Sequence, residues 1–452
     1  MTFFNPALTR QTLKLALPVM LTQLGQVSVQ LFDNIIVGNL LGAEALAAVS
    51  LGNALFFSVF VFGLGISFAI PPLVSEAHAQ GDHRRINSVF RHGFALNLAV
   101  GFLLMLLLLA FRPLLWHLDQ PLQIIPDTSN FLTIMAYSVL PFMAFQTLRE
   151  VSEGLGYTIG VTKATIAANV LNIALNYILI KGMFGFPPMG VKGSAIATLI
   201  ARIFMMVFLL AVMLKHPITK RYIKDFTITI NLFKKAIFAK MLKLGLPTAL
   251  QMFFEVTAFA GAAFICGMVS ANDIASHQIA LSMASFTFNL CIGFSVASTV
   301  LVGRRLGEQS FVELRKTGIN SLKLAFVFML VCGGVFIAFR NVLPTFFTKS
   351  EDVAVVLLAA KLLIIAALFQ LSDGIQVTTL GILRGMQDVK IPSIITFIAY
   401  WIITIPLGYV LCVTMKMGAF GMWIALGLGL TISAFLLVAR FLKLSGSRIQ
   451  SK

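Results

Sequence analysis

Runs of about 20 apolar residues recur along this chain, and each is long enough to cross a roughly 30 Å hydrocarbon core as a helix. They fall at 12–37, 46–74, 90–111, 128–152, 161–180, 189–214, 240–268, 273–302, 316–339, 353–383, 389–413 and 417–442. The loops between them are short, so no long soluble domain is left over. The fold class read from this pattern is an all-α membrane protein of about twelve transmembrane helices. Composition agrees: 58% of residues are hydrophobic and only 11% are charged, far from the balance of a soluble domain. Residues 1–11 hold no separate cleavable leader, and the first run is long enough to stay as an anchor.

A net charge of +17 would point to nucleic acid in a soluble protein. Here its distribution gives another reading. With the N-terminus cytoplasmic, only Arg112, Lys181, Lys192, Arg340, Lys349 and Lys416 fall outside, while Arg202 and Lys361 lie within spans. The other 26 of the 34 Lys and Arg fall inside. This is the positive-inside bias, with both termini cytoplasmic. The basic surplus is therefore read as topology and contact with an anionic lipid bilayer, with no nucleic-acid partner.

The chain repeats itself. Leu13-Lys14-Leu15-Ala16-Leu17-Pro18 returns 229 residues later as Leu242-Lys243-Leu244-Gly245-Leu246-Pro247. Gly190-Val191-Lys192-Gly193-Ser194-Ala195-Ile196-Ala197 returns at an offset of 228, beginning at Gly418. Glu153-Gly154 is echoed by Arg384-Gly385. Each half then holds six helices, and six is even, so both copies enter the membrane from the same face. The expected organisation is two pseudo-symmetric six-helix bundles: a lobe at 1–214, a cytoplasmic connector at 215–239 and a lobe at 240–452. Parallel repeats of this kind enclose a cleft and rock to give alternating access. The connector is basic, carries Tyr222, Phe226, Phe233 and Phe238, and is expected near the lipid surface.

Three carboxylates stand alone in long apolar stretches: Asp33 between Lys14 and Glu44, Glu255 between Lys243 and Asp273, and Asp373 between Lys361 and Arg384. A charge at mid-membrane costs at least about 2.5–3.5 kcal/mol and is kept mainly where it faces a cavity, binds an ion or carries a proton. Polar side chains join them at helical spacing. Gln23, Gln26, Gln30 and Asp33 share one face of the first span. Asn169, Asn172 and Asn176 share one face of the fifth. Thr248, Gln251 and Glu255 line the seventh, and Gln370 and Asp373 the tenth.

A small hard cation such as Na+ takes oxygen ligands, and Asp33 with Asn172 and Asn176 would supply them. Glu255 with Asp373 is the alternative Na+ site, and protonation would serve either site equally. Low dielectric disfavours an ionised carboxylate, so proton and cationic ligand compete for one group, the simplest exchange mechanism. Gln26, Gln30, Gln251 and Gln370 are read as lining a substrate cleft. Abundant Phe and Met suit flat organic cations. Pro18 and Pro247, at equivalent places, permit kinks. Arg149, Glu150 and Glu153 are read as interfacial anchors or an inner-gate salt bridge, and His277 and Gln278 as interfacial. The four cysteines read as packing residues. No G-x-x-x-x-G-K-[ST], H-E-x-x-H or G-x-S-x-G is present, so neither ATP-driven transport nor an enzyme is expected. No cofactor is called for beyond a coupling ion.

These residues resemble the multidrug and toxic compound extrusion (MATE) transporters. The similar segments are Leu17-Pro18 with Gln23, Val29-Gln30-Leu31-Phe32-Asp33 through Val37-Gly38, Leu46-Ala47-Ala48-Val49, Ala275-Ser276-His277-Gln278-Ile279-Ala280, Arg384-Gly385-Met386-Gln387-Asp388 and the paired Gly-x-x-Gly elements. The resemblance covers both halves and is nearest the NorM-like branch, where Glu255 and Asp373 fall on second-lobe carboxylates. It implies Na+- or H+-driven export of small organic cations. It also implies a first-lobe ion site of Asp33, Asn172, Asn176 and Thr198, in a bacterial inner membrane and, as expected here, a monomer. No Tyr matches the branch's second-lobe aromatic ligand, and Phe286 and Phe288 occupy that neighbourhood. A lipid-linked oligosaccharide flippase of the same superfamily is the alternative, though it would favour a strongly cationic cavity.

Overall fold

The structure is a computed structural model that describes residues 4–117, 121–227, 233–347 and 353–450. Lys349, Lys452 and residues 228–232 of the expected connector lie outside the described residues. Among the described residues, twelve helices are long and apolar enough to cross a membrane. They are α1 (Pro6–Leu41), α2 (Ala43–Ala79), α3 (His83–His117), α4 (Ile125–Gly154), α5 (Ile159–Lys181), α6 (Gly190–Lys215), α7 (Lys235–Val269), α8 (Ala271–Gly307), α9 (Phe311–Ala338), α10 (Val353–Gly385), α11 (Lys390–Thr414) and α12 (Gly418–Gln450). Each of the twelve apolar runs lies on one of them to within a residue. No strand occurs among the described residues.

Prolines shape the helices as their chemistry requires. α2 breaks after Ser67 and restarts at Ile70 with Pro71-Pro72 in its first turn, where a missing N–H costs nothing. Pro18, Pro141 and Pro247 lie inside α1, α4 and α7. α11 is the irregular helix. It is α-helical over Lys390–Phe397, π-helical over Ile398–Thr404, and α-helical again over Ile405–Tyr409. A second π stretch follows at Val410–Thr414.

The chain divides into two compact units, residues 21–249 and residues 1–20 with 250–452. The boundaries thus fall inside α1 and α7 rather than in the stretch 215–239. They stand 229 residues apart, each two residues beyond a repeat-related proline. In the second unit, Leu15, Ala16 and Met20 of α1 join a core with Cys291, Phe294, Ala297 and Val300 of α8. A Cβ on Gly293 would sit 2.6 Å from Met20 Cγ and 2.8 Å from the Ala16 carbonyl, so glycine is needed there. In the first unit, a Cβ on Gly65 would run into the backbone of Ala249. Gly65 and Gly293 are 228 residues apart, so one contact occurs twice. The Gly-x-x-Gly elements repeat as well. Gly190 and Gly418 open α6 and α12 with φ of +54° and +62°. Gly193 packs on the Leu179 carbonyl as Gly421 does on that of Leu411.

The segment after α6 docks on the first unit. A short helix, Pro217–Lys224, is anchored by Thr219 and Tyr222, both buried. Tyr222 Oη lies 2.8 Å from His83 Nδ1, and burial raises the Tyr222 phenol above its ordinary pKa. The Phe226 ring stands 4.6 Å from Phe90 and 5.4 Å from Phe94. Lys234 N–H donates to His92 Nε2 at 2.8 Å.

Candidate functional site

The first unit brings together the four residues expected to form an ion site. Asn176 Nδ2 donates to Asp33 Oδ1 at 2.6 Å and to Asn172 Oδ1 at 3.1 Å. Asn172 Nδ2 in turn donates to Thr198 Oγ1 at 3.4 Å. The chain therefore runs from α1 through α5 to α6. Spacing explains it: residues 172 and 176 are one turn apart on α5 and point the same way. Asn172 and Asn176 are buried, whereas Asp33 is half-buried. Asn176 Oδ1 is buried with no hydrogen-bond donor. An unsatisfied buried oxygen costs about 1–3 kcal/mol, and a hard cation would satisfy it. The donor set of carboxylate, amide and hydroxyl oxygens fits such an ion. The third Asn of the stripe, Asn169, packs instead against Gly25 of α1.

A fixed cation shares this unit. Arg202 lies halfway along α6, and its charge acts on Asp33. Its guanidinium sits 4.8 Å from the Phe56 ring, 5.1 Å from Phe142 and 5.9 Å from Phe60, and Nη1 donates to Ser138 Oγ at 2.6 Å. Among the described residues Arg202 forms no ion pair. Rings and a hydroxyl replace the water it would have outside.

The second unit holds Glu255 and Asp373, and the charge of Glu255 acts on Asp373. Asp373 is buried and Glu255 half-buried. Tyr400, absent from the sequence expectations, donates its hydroxyl to Glu255 Oε1 at 3.4 Å. Gln376 Nε2 donates to that same Tyr oxygen at 3.0 Å. Gln376 extends the α10 stripe to Gln370, Asp373 and Gln376, spaced three apart. Phe286 is exposed and Phe288 packs in a core around Cys291, so the aromatic residue at Glu255 is Tyr400. A positive charge, that of Arg384, also acts on Glu255.

The four glutamines are placed differently. Gln26 is half-buried and Gln30 exposed on the α1 face that carries Asp33. Gln251 is buried. Gln370 is fully buried, and its Oε1 accepts from Thr287 Oγ1 at 3.0 Å, which ties α10 to α8.

Two expectations are corrected. Of the two readings of Arg149, Glu150 and Glu153, exposed anchors are excluded because all three are buried, while the salt bridge is present, with Arg149 Nε 2.8 Å from Glu153 Oε1. An i,i+4 pair on one face of α4 closes into a protein interior when α2 and α3 cover it. His277 is fully buried too, with its ring 5.9 Å from that of Trp423 and neither nitrogen hydrogen-bonded. Its place near a helix start suggested an interface, but α12 covers it.

Comparison with known proteins agrees with the architecture. The sequence profile of the MatE family matches residues 18–178 and again 247–410. The two matches begin at the repeat-related prolines. The multidrug resistance protein NorM of Photobacterium profundum is 34% identical, over 96% of this chain and 94% of its own length. The multidrug resistance protein MdtK of Yersinia pseudotuberculosis is 34% identical, over 95% and 94%. Among solved structures, a MATE protein in complex with MaL6 superposes with a TM-score of 0.89 at 20% identity, covering 98% of this chain and 97% of that one. The eukaryotic MATE transporter AtDTX14 gives 0.86 at 19% identity, covering 98% and 99%. Those two likenesses speak for the fold.

Proposed function

From a chain that belongs to the MatE family, we propose a cation-coupled antiporter that exports small organic cations by alternating access. It is a multidrug efflux transporter embedded in a membrane, and not an enzyme. The observation that carries the coupled reading is the chain Asp33–Asn176–Asn172–Thr198. It offers a half-buried carboxylate and an unpartnered amide oxygen to one small ion. The coupling cation, Na+ or H+, binds there or at Glu255 and Asp373, and the organic cation leaves as it does so. One charge falling through 100 mV supplies about 2.3 kcal/mol, which supports a gradient of roughly fifty-fold. Gln26, Gln30, Gln251 and Gln370 are the polar residues assigned to the organic cation. The membrane is a bacterial cytoplasmic membrane with both termini inside, and the working unit is one chain.

Purified protein in liposomes loaded with ethidium tests this reading. Export is expected to respond to a Na+ gradient at zero pH gradient, or to a pH gradient without Na+, and the response names the ion. Asp33→Asn, Glu255→Gln and Asp373→Asn are each expected to cut coupled export while leaving the protein folded. Wild-type rates in all three would defeat the reading. Inhibition by anionic lipid pyrophosphates instead of organic cations would favour a flippase.

A further inference from the structure

α11 is bent out of α-helical register where it meets the Glu255 site. Pro406 has no N–H, so the carbonyl four residues earlier loses its α-helical donor. The helix is π-helical over Ile398–Thr404, and Thr404 Oγ1 donates to the Ala399 carbonyl, five residues back, at 2.8 Å. A π turn carries one extra residue, which rotates the helix on one side of it by about 100° relative to the other. α12 makes room for the bulge. A Cβ on Gly429 would run into Thr404 Oγ1 and lie 3.0 Å from the Ala399 carbonyl.

Two consecutive side chains of this turn reach α7. The Tyr400 hydroxyl donates to Glu255 Oε1 at 3.4 Å, and Trp401 Nε1 donates to the Phe254 carbonyl at 3.2 Å. The Phe397 ring, just before the turn, lies 4.8 Å from Phe254. Behind Tyr400 stands Gln376, which donates to the phenol oxygen at 3.0 Å. The donors point one way, Gln376 to Tyr400 to Glu255, and each bond polarises the next. Such a chain suits an ionised carboxylate with no cation on it. Its last bond, at 3.4 Å, is longer than the usual O–H···O distance and is the one most easily displaced.

We propose that Tyr400 is a positioning residue that holds Glu255 in the cation-free state and is displaced when Na+ binds at Glu255 and Asp373. This rests on the antiport reading above and deepens it, by naming the group the ion must replace and the helix that feels the exchange. The carboxylate oxygen that accepts the Tyr400 proton is one the ion needs, so phenol and ion compete. Trp401, next in the turn, reports the outcome.

The test uses the full chain with Trp116 and Trp423 replaced by Phe, so that Trp401 is the sole indole. Its fluorescence is titrated with NaCl at pH 8, with choline chloride holding ionic strength constant. Ethidium flux is measured on the same protein in liposomes. Tyr400→Phe is expected to lower the half-saturating Na+ concentration about three- to tenfold, the range for losing one competing hydrogen bond of ordinary strength, as suits a bond this long. The ethidium concentration for half-maximal flux is expected to stay within about twofold, as befits a residue whose hydroxyl serves the ion-side carboxylate and none of the glutamines assigned to the organic cation. Gln376→Leu is expected to shift Na+ in the same direction by less. A merely structural tyrosine would lower the amplitude of both readouts and move neither midpoint. An unchanged Na+ midpoint in Tyr400→Phe, a higher one, or a wild-type Trp401 signal indifferent to Na+ would each overturn the proposal. Ethidium flux indifferent to every ion gradient, with the Trp401 titration intact, would instead overturn the antiport reading.

Discussion

A single amide, Asn176, organises the first-unit site. Its two N–H groups serve Asp33 and Asn172, which leaves its oxygen buried and without a donor. Asn176→Leu removes the bond to Asp33 and the spare oxygen together. A bond to a charged group is worth about 1.5–3 kcal/mol. Gradient-driven ethidium export should therefore fall about tenfold or more, with an unchanged gel-filtration profile in detergent. An export rate like that of the wild type would remove Asn176 from the site. Arg202 poses a different problem, because two effects oppose. Replacing it by Met loses ring contacts worth about 0.5–2 kcal/mol and relieves an insertion cost of about 2.5–3.5 kcal/mol. Thermal stability in detergent should thus hold or rise, while export falls because the charge acting on Asp33 is gone. A large loss of stability would show that the guanidinium serves packing instead.

At the scale of the helix, regular periodicity made most of the site legible and one irregular turn hid the rest. Asn172 and Asn176 could be read from spacings of three and four, since α5 keeps its register through them. Tyr400 could not. Its place depends on a π turn that shifts α11 out of α-helical phase, and the one sequence signal for it was Pro406. The Arg149–Glu153 salt bridge was legible but its burial was not, because helix length alone does not say which neighbours cover an end. Gly429 tests the irregular turn. Gly429→Ala forces a methyl group onto Thr404 and should cost about 1–3 kcal/mol by overpacking, read as a lower unfolding temperature. Thr404→Ala in the same chain removes the obstructing hydroxyl and should recover part of it. If Gly429→Ala is neutral, α12 does not hold the turn. The connector offers a second check: Phe226→Ala empties the space between Phe90 and Phe94 and should speed tryptic cleavage near Lys224 without affecting other sites.

Duplication explains the whole molecule better than two side-by-side copies would. Each half of the sequence begins with a long helix, and each of those helices is divided just after its proline. The leading part of α1 contributes Leu15, Ala16 and Met20 to the second unit, and α7 places Ala249 against Gly65 in the first. The sequence repeat showed that the halves are alike. It could not show this exchange, because a helix that serves one unit or two has the same apolar pattern. The exchange has a consequence for folding. Residues 1–227 expressed alone would lack the α7 segment that covers Gly65, and residues 228–452 alone would lack Leu15, Ala16 and Met20. In a bilayer such helix contacts are held by close packing at small residues rather than by withdrawal from water, so a unit without its exchanged segment loses that packing outright. Each half expressed alone should therefore be degraded or aggregate in detergent. The two halves expressed together should co-purify through a tag on one of them and regain ethidium export. Adding Gly65→Val or Gly293→Val should abolish that co-purification, since either side chain collides with the exchanged helix. Stable, monodisperse single halves would show that the exchanged segments are ornamental, and that each unit closes on its own six helices.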